Sequence, residues 1–146
     1  MFSKSPCPVA AVTRLQQAWN MHDPDGLEAC LHPCYQSLHP NHPERNFSGR
    51  LAARLSWAAV FEAVPDLRAE LLHYAVINDT VWTEWRWHGE EHVSGVPFEA
   101  QGVMIFTIAD DLITQAQVYT EILETTGPDW DQVLDNLLQN DSEQSF

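Results

Sequence analysis

The segment Asn78–Gly89, NDTVWTEWRWHG, constrains the fold most tightly, because three of the chain's six tryptophans fall within it. Val, Thr and Trp favour a pleated backbone, the Asn78-Asp79 pair supplies turn chemistry ahead of the run, and Gly89 marks its end. Strand side chains alternate between faces, which puts Val81, Thr83, Trp85 and Trp87 on one side and Trp82, Glu84, Arg86 and His88 on the other. Both faces carry aromatic surface. A central strand is expected, with one face on a core or pocket and the other against a further partner.

The rest of the chain supplies helices before this strand and strands around it. Val9, Val12, Leu15, Gln16 and Trp19 recur at helical spacing after Pro8, and Asp23 with Pro24 can cap a second short helix through Leu27 and Cys30. Tyr35–His39 reads as a short strand running into the loop Pro40–Phe47, where Pro40 and Pro43 forbid regular pairing. Ser48 to Ala63 reads as a helix with Ser48 as its N-cap, ended by Pro65-Asp66. Leu67–Ile77, Thr80–His88, Phe98–Ile108 and Leu112–Leu123 then form four strands whose short joins favour antiparallel neighbours. Pro128 to Leu138 offers a last helix, with Trp130, Val133, Leu134, Leu137 and Leu138 on one side. Helices packed on one face of a curled antiparallel sheet make an α+β fold. Residues 1–146 are read as one domain, with a core over about 8–124 and a C-terminal helix and tail over 125–146.

Charge narrows the partners. With 7 basic and 21 acidic residues the chain carries a formal net charge of −14, which opposes binding to a nucleic-acid backbone. The same field favours a neutral or weakly cationic small molecule over an anion. Apolar runs are too short to span a bilayer and the N-terminus lacks a secretory apolar core, so no membrane partner and a cytoplasmic location are expected. The cysteines Cys7, Cys30 and Cys34 form no C-x-x-C pair and are read as reduced thiols. His39 and His42, with His73 or His92 as a third ligand, make a weak case for a metal, and no metal or cofactor is expected.

Four stretches then carry a resemblance to a known family. Trp19-Asn20-Met21-His22-Asp23 is similar to a "W-N-x-x-D" that closes a first helix, and Tyr35–Pro40 places His39 ahead of a turn. Phe61–Leu67 resembles "F-x-x-x-P-D-L", and Asp79 through Gly89 resembles "G-D-x-V-x-x-x-W-x-x-x-G", followed by Asp111-Leu112-Ile113 in place of "D-G-K-I". In their order these stretches resemble the SnoaL-like branch of the NTF2-like superfamily. The resemblance implies a cone-shaped α+β barrel with N-terminal helices on the concave face of a mostly antiparallel sheet. It also implies a deep apolar pocket, often with dimerisation through the convex face. Members include polyketide cyclases, isomerases, lyases and non-catalytic ligand-binding or accessory proteins, so the resemblance leaves catalysis open.

In SnoaL-like cyclases an acid/base carboxylate lies eight residues after the isoleucine of that last motif, which corresponds to Glu121. Gln115, Gln117, Tyr119 and Glu121 also alternate onto one face of the last strand, a polar stripe where a plain core would carry Val or Ile. An apolar pocket would raise the carboxyl pKa towards the range useful at neutral pH. The other reading turns this stripe to solvent or a partner and leaves Ala116, Val118 and Ile122 inward. Tyr119 and His39 are the assisting groups, and Trp57, Trp85, Trp87, Met104, Phe106 and Gln117 are the expected substrate contacts, residues that could equally be plain core. Trp82, Val103 and Ile105, alternating away from the concave face, point to a homodimer.

Overall fold

The computed structural model describes residues 7–123, 134–135 and 137–139. Helices α1 (Pro8–Asn20), α2 (Pro24–Ala29) and α3 (Arg50–Ala63) precede most of a six-stranded sheet. Its strands are β1 (Leu31–Leu38), β2 (Phe47–Ser48), β3 (Arg68–Ile77), β4 (Thr80–Glu90), β5 (Pro97–Ala109) and β6 (Leu112–Ile122), ordered β2-β1-β6-β5-β4-β3. All pairings are antiparallel except β1 with β6, and α1 packs on β3 and β4. The α+β fold with helices laid on a mostly antiparallel sheet therefore holds.

β4 is an interior strand, next to the edge strand β3 and paired on both sides, and its two faces divide as its sequence predicts. Val81, Thr83, Trp85 and Trp87 are buried while Trp82 and Glu84 are exposed. Trp85 is fully enclosed and its ring centroid lies 4.9 Å from Trp19 and 5.7 Å from Trp87, with Trp57 5.0 Å from Trp19. Such spacing suits aromatic packing, and each buried indole withdraws about 150–250 Å² from water, worth roughly 4–6 kcal/mol. The Trp85 Nε1–H donates to Thr83 Oγ1 at 2.6 Å, and that hydroxyl donates to the Met104 carbonyl at 2.6 Å. A polar group can be buried here because it is bonded.

The stretches that carry the resemblance prove mainly structural. Trp19 fills the core, and the Asn20 side chain clamps both backbone groups of Ala69, accepting from its N–H at 2.7 Å and donating to its carbonyl at 3.2 Å. Asp23 caps α2 by accepting from the Gly26 N–H at 3.0 Å. Asp66 accepts from the Glu90 N–H at 2.8 Å, fixing the far end of β4 beneath the α3–β3 junction.

Two local expectations change. β1 starts at Leu31 instead of Tyr35, running through His32-Pro33, because a register shift between Leu31 and Gln36 spares Pro33 from regular pairing. Ser48 is not the cap of α3. It pairs with Gln36 as part of β2, and Gly49 starts the helix at φ 97°, a conformation open to glycine. The predicted C-terminal helix falls largely outside the described residues, of which 134–135 and 137–139 are helical.

At Gly102 the sheet permits no side chain, since a Cβ there would meet the Tyr119 carbonyl oxygen at 2.2 Å. Among the described residues no helix is long and apolar enough to cross a membrane.

Candidate functional site

Between the sheet's inner face and α3 lies a cavity of about 430 Å³, within the range of small-molecule sites. α3 contributes Ser56, Trp57 and Val60, and the junction after it contributes Leu67. From the sheet come Trp87 on β4, Phe98, Ala100 and Met104 on β5, and Val118, Thr120 and Ile122 on β6. Register explains this set: Trp87 pairs with Ala100, Ala100 with Ile122 and Met104 with Val118, so all project from the same face.

The polar side of the cavity comes from β1 and the loop after it. Tyr35, Ser37 and His39 recur every second residue and face inward together, and Arg45 and Phe47 complete the wall. Ser37 is buried, and its Oγ lies 3.2 Å from His39 Nε2. Tyr35, two residues before Ser37, shares its inward face, so two hydroxyls and an imidazole line one wall. Burial pushes the Tyr35 phenol up to about 12, so it remains protonated as a donor. Burial, reinforced by the Arg45 charge and His42, holds His39 below its ordinary value, with Glu44 opposing. The imidazole is therefore neutral at neutral pH. His39 is anchored through its backbone N–H, which donates to Asn46 Oδ1 at 2.6 Å. Its Nδ1 has no hydrogen-bond partner among the described residues.

Of the residues singled out in the sequence, His39, Trp57, Trp87 and Met104 line the cavity. Trp85 and Phe106 share that face but lie in the core, 0% and 1% exposed, and do not reach the cavity. Gln117, Tyr119 and Glu121 must be reassigned. They pair with Ile105, Val103 and Gln101 and project from the opposite face, while their neighbours Val118, Thr120 and Ile122 face in. The Glu121 side chain is 59% exposed, and its Oε1 accepts from His42 Nε2 at 2.5 Å.

A bulge is the reason. Ile108 pairs with Ile113 but Thr107 pairs with Gln115, so β6 carries one extra residue after Ile113. Counting an even number of residues from Ile113 assumes unbroken alternation, and one added residue turns every later side chain to the other face. Ile113 and Ala116 are accordingly both fully buried although an odd number of positions separates them. Tyr35 and Ser37 were missed, although their alternation with His39 could have revealed them. Nothing in the sequence around Arg45 signals its place in the wall. Among the described residues no group of three His, Cys, Asp or Glu side chains could hold a metal ion.

No curated protein sequence matches the chain. Among solved structures, TsrD from Streptomyces laurentii is 26% identical, with 82% of this chain and 91% of that one covered at a TM-score of 0.67. A candidate SnoaL-like polyketide cyclase from Jannaschia sp. CCS1 is 24% identical over 82% of this chain and 90% of that one, at a TM-score of 0.68. A protein with a ketosteroid isomerase-like fold from Catenulispora acidiphila DSM 44928 is 16% identical over 84% and 90%, at 0.65, and was solved with trimethylamine. These likenesses support the NTF2-like, ketosteroid isomerase-like fold. The model of the SnoaL-like domain matches residues 12–116, and the chain belongs to the SnoaL-like domain family.

Proposed function

We propose that this chain binds a small, largely apolar molecule in its cavity and moves a proton at a carbon beside a carbonyl, in an isomerisation or ring closure. His39 carries the reading: a neutral imidazole on the polar side of a mostly apolar cavity, with one nitrogen held by Ser37 and the other unengaged among the described residues. A base of this kind, with an ordinary value near neutrality, is matched to proton transfer at physiological pH.

In the proposed step His39 takes the proton from the carbon, and the C–H electron pair becomes an enolate. Tyr35, Ser56 or Thr120 donates a hydrogen bond to the enolate oxygen, where charge develops. The imidazolium then returns the proton to another carbon, completing an isomerisation. In a ring closure the enolate carbon instead attacks a second carbonyl, and the proton goes to the new alkoxide. Trp57 and Trp87 hold the flat apolar body.

Hydrogen exchange at the carbons beside the carbonyl of β-tetralone, followed by NMR in deuterium oxide, tests the reading. The chain should accelerate exchange, His39→Gln should lose it, and Glu121→Gln should keep it. Full exchange in His39→Gln overturns the assignment. No acceleration at all, with an uncharged apolar fluorophore still bound, would favour a non-catalytic ligand carrier.

The outer face supports a second proposal, a homodimer built on Trp82, Val103 and Tyr119. Trp82 is 46% exposed, whereas Ile105 is already nearly buried within the chain and adds little surface. Sedimentation as a monomer at micromolar concentration would contradict it.

A further inference from the structure

We infer that Arg45 makes the cavity selective for an apolar molecule bearing a carboxylate, the anionic group seating on the guanidinium and the rings filling the cone. The inference rests on the ligand-binding reading above and names the class of ligand.

It runs against the net charge, and that contrast is its first support. The chain has 21 acidic residues, yet among the described residues no Asp or Glu lines the cavity. The charged or titratable side chains that do line it are Tyr35, His39 and Arg45, so the formal charge on its lining at neutral pH is the positive one of Arg45, inside a negative molecule.

The second support is how the arginines are used. Arg54 binds Asp25 at 2.7 Å, Arg86 binds Glu99 at 2.5 Å, and Arg14 donates to the Asp111 carbonyl at 2.6 Å. Arg45, like Arg50 and Arg68, has no ion pair or side-chain hydrogen bond to any described residue, and of these three it is the one that lines the cavity. Glu44, its neighbour in the loop, and Glu121 both face His42, at 3.6 Å and 2.5 Å. A guanidinium presents a planar fork that matches a carboxylate through two parallel hydrogen bonds. Arg45 stands at the exposed end of the wall, where such a fork remains open to an entering ligand.

Position links this contact to the proposed base. Arg45 follows burial among the groups that hold His39 low, and an anion on the guanidinium offsets that charge. A carboxylate ligand would therefore raise the proton affinity of the imidazole it has just approached.

The test compares β-naphthoate with β-naphthamide, which share a ring system and differ in charge, by equilibrium dialysis. The chain should bind the naphthoate about tenfold or more tightly than the amide, and added salt should narrow the difference. Arg45→Gln should remove the preference while amide binding persists, and Arg45→Lys should keep part of it. Equal binding of both compounds, or an unchanged preference in Arg45→Gln, overturns the carboxylate assignment and leaves the cavity reading standing. If neither compound binds, the cavity reading fails as well.

Discussion

β1 and β6 lie side by side in the sheet and each carries a polar stripe, but the two stripes face opposite ways. Tyr35 and Ser37 on β1, with His39 just after it, face the cavity, whereas Gln117, Tyr119 and Glu121 on β6 face outward. Ser37 pairs with Ala116 and Leu38 with Gln117, so the inward residues of β1 sit beside the small and apolar residues of β6. Polar residues on alternate positions identify a face of a strand. Which face that is depends on register, and a bulge resets it.

The contrast between inner and outer faces can be broken experimentally, and the largest effect is on stability. Trp85→Ala should cost about 3–5 kcal/mol in urea unfolding, because it removes a fully enclosed indole packed on Trp19 and Trp87. Trp82→Ala, on the outer face of the same strand, should cost less than about 1 kcal/mol when measured at low protein concentration. Equal costs would erase the distinction between the faces.

On catalysis, His39→Gln should lower the tetralone exchange rate by about a hundredfold or more. Glu121→Gln should leave it within about twofold, a difference between faces that applies only if the cavity is catalytic. Thr83→Val should destabilise by about 1–3 kcal/mol, since the buried Trp85 N–H would lose its acceptor. Chemical denaturation would show this, and Thr83→Ser, which keeps the hydroxyl and loses one methyl, should recover most of the loss.

The smallest effect is a pH dependence. Burial holds His39 below its ordinary value of 6.5, so the folded chain binds this proton less readily than the unfolded chain. Its contribution to stability is present above 6.5 and is lost as pH falls from there through the lower folded value. Denaturation midpoints should fall more steeply over that window in the wild type than in His39→Gln. Parallel slopes would show that His39 is not held as the structure indicates.

Much of this fold was legible in the sequence because its signals are local. Asn78-Asp79 and Asp110-Asp111 mark the turns, with positive φ at Asn78, Asp110 and Asp111, and the strand boundaries fall within a few residues of expectation. Trp19, Asn20, Asp23 and Asp66 were recognisable as a pattern, and the structure explains why: they fill the core, clamp a strand, cap a helix and anchor β4. Those residues build the scaffold. The site was less legible, because only His39 among the proposed catalytic groups reaches the cavity.

By itself the sequence determined the two faces of Asn78–Gly89, since alternation along one strand requires nothing beyond that strand. Val81, Thr83, Trp85 and Trp87 are buried as their positions demand. Only the tertiary structure decided that Trp87 reaches the cavity while Trp85 is enclosed, and that Glu121 points away from it. It alone brought Arg45 beside His39. Those outcomes depend on pairings between distant segments and on one extra residue in β6, which no periodicity within a single strand encodes.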